Sequence, residues 1–81
     1  MMEYVFLWTP EALEKIAQHG VTVEEYESVV NNPVDRQLSR SSDNLIARGD
    51  AITGRWLICD YQDIDEITVL PITGYEPDDH V

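Results

Sequence analysis

One histidine and four arginines are the side chains of this sequence best suited to handling a phosphate. His19 stands in the run Gln18-His19-Gly20-Val21, and Arg36, Arg40, Arg48 and Arg55 fall within a single stretch of twenty residues. His19 closes a helical pattern, where the helix dipole favours a protonated imidazole. Such a group can act as a general acid or base toward a phosphate ester. Its plainer role is a helix-end cap touching backbone carbonyls. Arg36 and Arg40 share one face of an alternating segment. Guanidinium groups so placed could hold a phosphate bidentately and stabilise charge during phosphoryl transfer. Their plainer role is to protect a sheet edge and pair with carboxylates. His19, Arg36 and Arg40 are therefore the candidate catalytic residues, on the condition that the chain acts on a phosphate ester. Arg48, Arg55, Asp60 and Tyr75 are the candidate binding residues. Asp60 lies between Cys59 and Tyr61 in an apolar run, so it needs either an arginine, with Arg48 across a hairpin as one partner, or water at a strand end. Whether Arg48 and Arg55 join Arg36 and Arg40 depends on hairpin register, which a one-residue slip reverses.

Other chemistries lack their residues. Asp63, Asp65 and Glu66 have neither the spacing nor the central glycine of a calcium loop, and read as a solvated acidic turn. The single cysteine, Cys59, excludes an intrachain disulfide and reads as a small buried hydrophobe. No metal site and no cofactor are expected. There is no glycine-rich phosphate loop, no nucleophile elbow and no Ser/His/Asp arrangement. His80, in the tail, has no role. A signal peptide, a membrane-length apolar run and a lipidation signal are all missing, so no membrane association is expected and a reducing cytoplasm fits.

Charge narrows the partners. The formal net charge is −11. The twenty residues from Arg36 to Arg55 carry four arginines against two aspartates and net +2, whereas the rest sets one lysine against fourteen carboxylates and nets −13. A nucleic-acid binder gains affinity by neutralising phosphates. This chain as a whole repels them. Its acidity serves solubility or a basic protein partner.

The elements that must position these groups are legible in order. Residues 2–8 alternate Tyr4, Phe6 and Trp8 against Val5 and Leu7, and predict a strand apolar on both faces and internal to a sheet. Thr9 caps a first helix with Pro10 in its first turn, Leu13, Ile16 and Ala17 form its apolar stripe, and Gly20 stops it. Thr22 and Glu25 make a capping box for a second helix with Tyr26, Val29 and Val30 inward, ended by Asn31-Asn32-Pro33. Residues 34–40 alternate as an exposed or edge strand. Residues 41–44 form a turn and 45–50 the next strand. Thr53-Gly54 turns a tight hairpin into residues 55–61, a central strand apolar on both sides. Residues 62–65 turn again. The last strand is 66–72, with Pro71 marking an edge or a bulge.

The predicted order is β-α-α-β-β-β-β, an α+β fold with a helix hairpin on one face of an antiparallel sheet. With 81 residues it makes one domain and one modest core, over residues 1–75, followed by a frayed acidic tail at 76–81. The core is expected to draw on Phe6, Trp8, Leu13, Ile16, Tyr26, Val29, Val30, Leu45, Trp56, Ile58, Val69 and Leu70.

A strand ending in Trp8, a Pro-led helix, the His19-Gly20-Val21 run and a second helix ending at Asn31-Asn32-Pro33 together resemble the BrnT family. The Thr53-Gly54-Arg55 turn, followed by an apolar strand and an acidic turn, continues the likeness up to about Thr73. Members of that family are bacterial toxins with a fold similar to the RelE ribonucleases. The resemblance implies a cytoplasmic α+β toxin that cleaves RNA and is neutralised by an antitoxin, with His19 carried over as a site residue. The sequence departs from that pattern at Gln18, where a basic residue is usual, and at Gly74-Tyr75-Glu76 and the acidic end, where the family is basic. Together with the net charge, these departures lead to the expectation of a small, non-catalytic protein with this fold, acting through a protein partner or as a homodimer. The alternative is an RNA-cleaving toxin with a reduced active site and an antitoxin-like partner.

Overall fold

The structure, a computed structural model, describes residues 3–38 and 44–77. Arg40, most of the predicted 41–44 turn and the end of the tail lie outside the described residues. The elements run β1 (Val5–Phe6), α1 (Pro10–Gln18), α2 (Val23–Asn31), β2 (Asp35–Leu38), β3 (Leu45–Asp50), β4 (Trp56–Asp63) and β5 (Thr68–Tyr75). The strands form one sheet in the order β1-β5-β4-β3-β2. This is the α+β architecture expected. β2 through β5 form an antiparallel meander, but β1 pairs parallel to β5, so the sheet is mixed.

Local chemistry sets the helix ends. The Thr9 hydroxyl accepts the Ala12 N–H at 3.1 Å, and Pro10 opens α1. At the other end Val21 N–H reaches the Ile16 carbonyl and Gly20 N–H the Ala17 carbonyl, with Gly20 at φ 71°. That is a Schellman stop, and the positive φ selects glycine. Thr22 and Glu25 exchange bonds in a full capping box at the start of α2.

Both helices pack on one face of the sheet. The core combines Ile16 and Val21 with Tyr26, Val29 and Val30 of α2 and with Ala47, Leu57, Cys59, Tyr61 and Val69 of the strands. Tyr26 is fully buried; its hydroxyl donates to the Asp60 carbonyl, and its ring meets Trp8 edge-on at 4.9 Å between centroids. Gly74 makes this possible, because a Cβ there would stand 2.7 Å from the Tyr26 ring.

Several expectations are corrected. β1 is an edge strand, not an internal one: Phe6 faces the helices while Val5 and Leu7 remain 51% and 46% exposed. On α1 the buried row is Ala12 and Ile16, and Leu13 is outside the core at 41% exposure. A two-turn helix lying on a sheet buries one i, i+4 row, which keeps Ile16 of the predicted stripe but takes Ala12 in place of Leu13 and Ala17. Trp56 and Ile58 are on the face away from the helices; Leu57, Cys59 and Tyr61 supply the core of β4. β5 starts two residues later and runs further than predicted, and Pro71 lies at a bulge inside the sheet, opposite the Asp60/Tyr61 register shift. The hairpin at Gly54 is as expected, with φ 89° and its N–H on the Ala51 carbonyl.

Candidate functional site

The candidate residues that the structure describes are distributed among three places. At the first, His19 caps α1 and its imidazole lies 5.9 Å from the Tyr75 ring at the end of β5. Arg55 shares this corner. It donates to the Gly20 carbonyl at 2.8 Å, to Glu25 Oε1 at 3.1 Å and to Glu76 Oε1 at 3.3 Å. The structure thus brings His19, Tyr75 and Arg55 together. Arg55 ties four chain segments to one another, and its guanidinium is directed at this chain's own oxygens.

Glu25 is the hub of that corner, a role beyond the capping box that its spacing from Thr22 predicts. It is 3% exposed and accepts from Thr22 N–H, the Thr22 and Thr53 hydroxyls and Arg55. Thr53 first, then Thr22 and the Arg55 charge, hold its carboxyl below the usual range against the opposing effect of burial. A signal was present: Glu25 lies on the buried row of α2, four residues before Val29, and an acid on a core-facing row needs a cation.

The second place is the far end of α2. Arg36 donates to the Val30 carbonyl at 3.3 Å and lies 5.6 Å from the centre of the Tyr4 ring. A cation there is favoured by the helix terminus. Arg36 pairs in register with the buried Ala47, so it projects on the helix side. Nearby, the buried Tyr61 hydroxyl has no hydrogen-bond partner among the described residues, and burial pushes its pKa up to about 12.

The third place is the face away from the helices. Arg48 is opposite Asp35 and Ile58, and its guanidinium takes both Asp35 oxygens, at 2.9 and 2.7 Å. Asp60 lies in the next row, opposite Ile46 and Thr73. The expected Asp60–Arg48 pair therefore does not form: Arg48 is taken by Asp35 on its other side. Burial raises the Asp60 carboxyl above its ordinary value.

These places are well separated. β2, which carries Arg36, is three strand spacings from β5, which carries Tyr75. At ~4.8 Å each that is about 14 Å. α2 also intervenes, with Arg36 on its last turn and His19 before its first residue. His19 and Arg36 cannot address one phosphate from these positions. Arg36 and Arg48 project from opposite sides of the sheet.

Asp65 builds a turn, accepting Ile67 N–H at 3.0 Å and Thr68 N–H at 2.8 Å, which holds its carboxyl below the usual range. Among the described residues no three His, Cys, Asp or Glu side chains are grouped to hold a metal, and no helix is long and apolar enough to cross a membrane. Cys59 is fully buried, and burial pushes its thiol up, away from reactivity. No protein-family model, curated protein or solved structure matches this chain.

Proposed function

We propose that this protein is a divergent BrnT-like chain that has kept the fold and works without catalysis, by binding another protein in a reducing cytoplasm. One observation carries the reading. Each arginine among the described residues is bonded within the chain, at three separate places. A phosphoryl-transfer site needs an acid, a base and a cation converging on the phosphate oxygens. Here the histidine and the first candidate cation are strands apart. The net charge of −11 adds long-range repulsion of a polyanion. The element order and the single buried cysteine agree with the reading.

The alternative, an RNA-cleaving toxin held by an antitoxin-like partner, is favoured by one feature, the His19–Tyr75 juxtaposition. An affinity pull-down from the host cell, with and without ribonuclease treatment, separates the two. The proposal expects a protein partner whose recovery does not change when RNA is destroyed. Recovery that depends on RNA would contradict it.

A further inference from the structure

Apolar side chains stand on both faces of the sheet, and among the described residues only one face carries a layer. An antiparallel sheet with a solvated face normally alternates apolar-in with polar-out. Here β4 places Leu57, Cys59 and Tyr61 against the helices, but Trp56 and Ile58 on the other side. Tyr75 of β5 stands in register with Ile58, Ile46 of β3 lies one row further on, opposite Asp60, and the same face continues through Leu70 to Val5 at the β1 edge. Val5 is half exposed, and the others are only partly shielded. Both helices pack on the opposite side, and among the described residues no element covers this one. Scattered apolar residues on a surface are ordinary, but here they recur on four neighbouring strands of one face, interleaved with polar residues, the pattern of an interaction surface.

The charges on this face specify the occupant. Asp60 is in its middle, half-buried between Ile46 and Thr73, with no ion pair among the described residues. Arg48, one row away, is already taken by Asp35. Asp50 is a further carboxylate at the margin, opposite Trp56. Among the described residues the face therefore carries Asp35, Asp50 and Asp60 against one arginine, Arg48. A second copy of this chain would bring the same unpaired carboxylates against it, inside a newly desolvated layer. Such a contact is unfavourable. A cationic group placed over Asp60 would remove the mismatch.

We infer that the open sheet face docks a basic, amphipathic segment of another protein, its apolar side on Trp56, Ile58, Ile46 and Leu70 and an arginine or lysine against Asp60. The inference rests on the interaction reading above and deepens it by naming the surface and the partner's chemistry. The field of the whole chain acts in the same direction, drawing a basic partner in and keeping copies apart.

The test is a titration of the isotopically labelled full chain, followed by amide chemical shifts. The probe is a synthetic amphipathic peptide of about 16 residues, long enough as a helix to cross the five strands. It carries leucine on one side and arginine on its flanks; a second peptide replaces every arginine by glutamate. The arginine peptide is expected to bind at least about tenfold more tightly, with shifts concentrated at residues 46, 58, 70 and 73. Asp60→Lys should reverse the preference between the two peptides, and Asp60→Asn should reduce it without disturbing the fold. Equal affinity for both peptides, binding to neither, or shifts confined to α1 and α2 would overturn the inference. Self-association through this face, seen as a dimer by sedimentation with shifts at the same residues, would also overturn it. None of these results bears on RNA cleavage, so this surface can be wrong while the non-catalytic reading stands.

Discussion

Arg55 Nη1 lies 3.1 Å from Glu25 Oε1 and joins the β3–β4 hairpin to the first turn of α2. The carboxylate is almost inaccessible, whereas the guanidinium side chain is 31% exposed. Removing the arginine leaves a buried carboxylate short of a cation. Arg55→Ala should cost about 2 kcal/mol, lowering Tm by roughly 8–16 °C in a domain of this size. Glu25→Gln should cost less, because the amide oxygen still accepts from Thr22 N–H while its NH2 can donate to the Thr53 hydroxyl. In a double-mutant cycle by urea denaturation the two losses should fall short of additive.

The same carboxylate gives stability a pH dependence. Its folded pKa is below its ordinary value of 4.5, so the ionised form is favoured by folding. The contribution is fully present above pH 4.5 and is lost as pH falls from there through the folded value. Wild type should therefore lose more stability than Glu25→Gln when denaturation is compared at neutral pH and below 4.5. Parallel losses would contradict the assignment.

Gly74 and Tyr26 make the tightest demand in the core. An alanine Cβ at 74 would meet ring carbons at 2.7 and 2.9 Å. The ring has little room to yield, being fully buried against Trp8 and fixed by its hydroxyl on the Asp60 carbonyl. Gly74→Ala should cost about 1–3 kcal/mol by overpacking, measured by thermal denaturation. A substitution without effect would mean that the Tyr26 ring sits elsewhere.

Much of this architecture is legible in the sequence, and the parts that are not share one cause. Thr9, Gly20, Thr22 and Gly54 act through local backbone chemistry, and the helices and hairpin follow from them. Pro71 announces an edge or a bulge because it lacks an N–H, and the bulge is what forms. Register between elements has no such local signature. Which arginine meets which carboxylate depends on it, so Arg48 goes to Asp35 and Asp60 has no ion pair among the described residues. Facing is equally hidden where a strand is apolar on both sides. Nothing in the Trp56–Tyr61 run says that its odd-numbered residues face the helices. β1 misleads for the same reason, since its apolar outer side looks like burial and is an exposed edge.

Asp60 provides a prediction of opposite sign. Burial alone raises its pKa above the ordinary 3.8, so at neutral pH its charge opposes folding. Asp60→Asn should stabilise the isolated protein at pH 7. The gain should be largest above the folded pKa and vanish as pH falls through 3.8, where both states are neutral. Chemical denaturation across that range measures it. Destabilisation at pH 7 would show that the carboxylate makes a favourable contact of its own.

The central claim, a non-catalytic protein, is tested most directly by incubating purified protein with single-stranded RNA. Screening at physiological salt shortens the repulsive field to ~8 Å, so weak contact with RNA is compatible with the account and cleavage is not. Wild type, His19→Ala and Arg40→Ala should all leave the RNA intact at the rate of the protein-free control. Cleavage by the wild type that both substitutions abolish would contradict the account and assign the chain a ribonuclease site around His19.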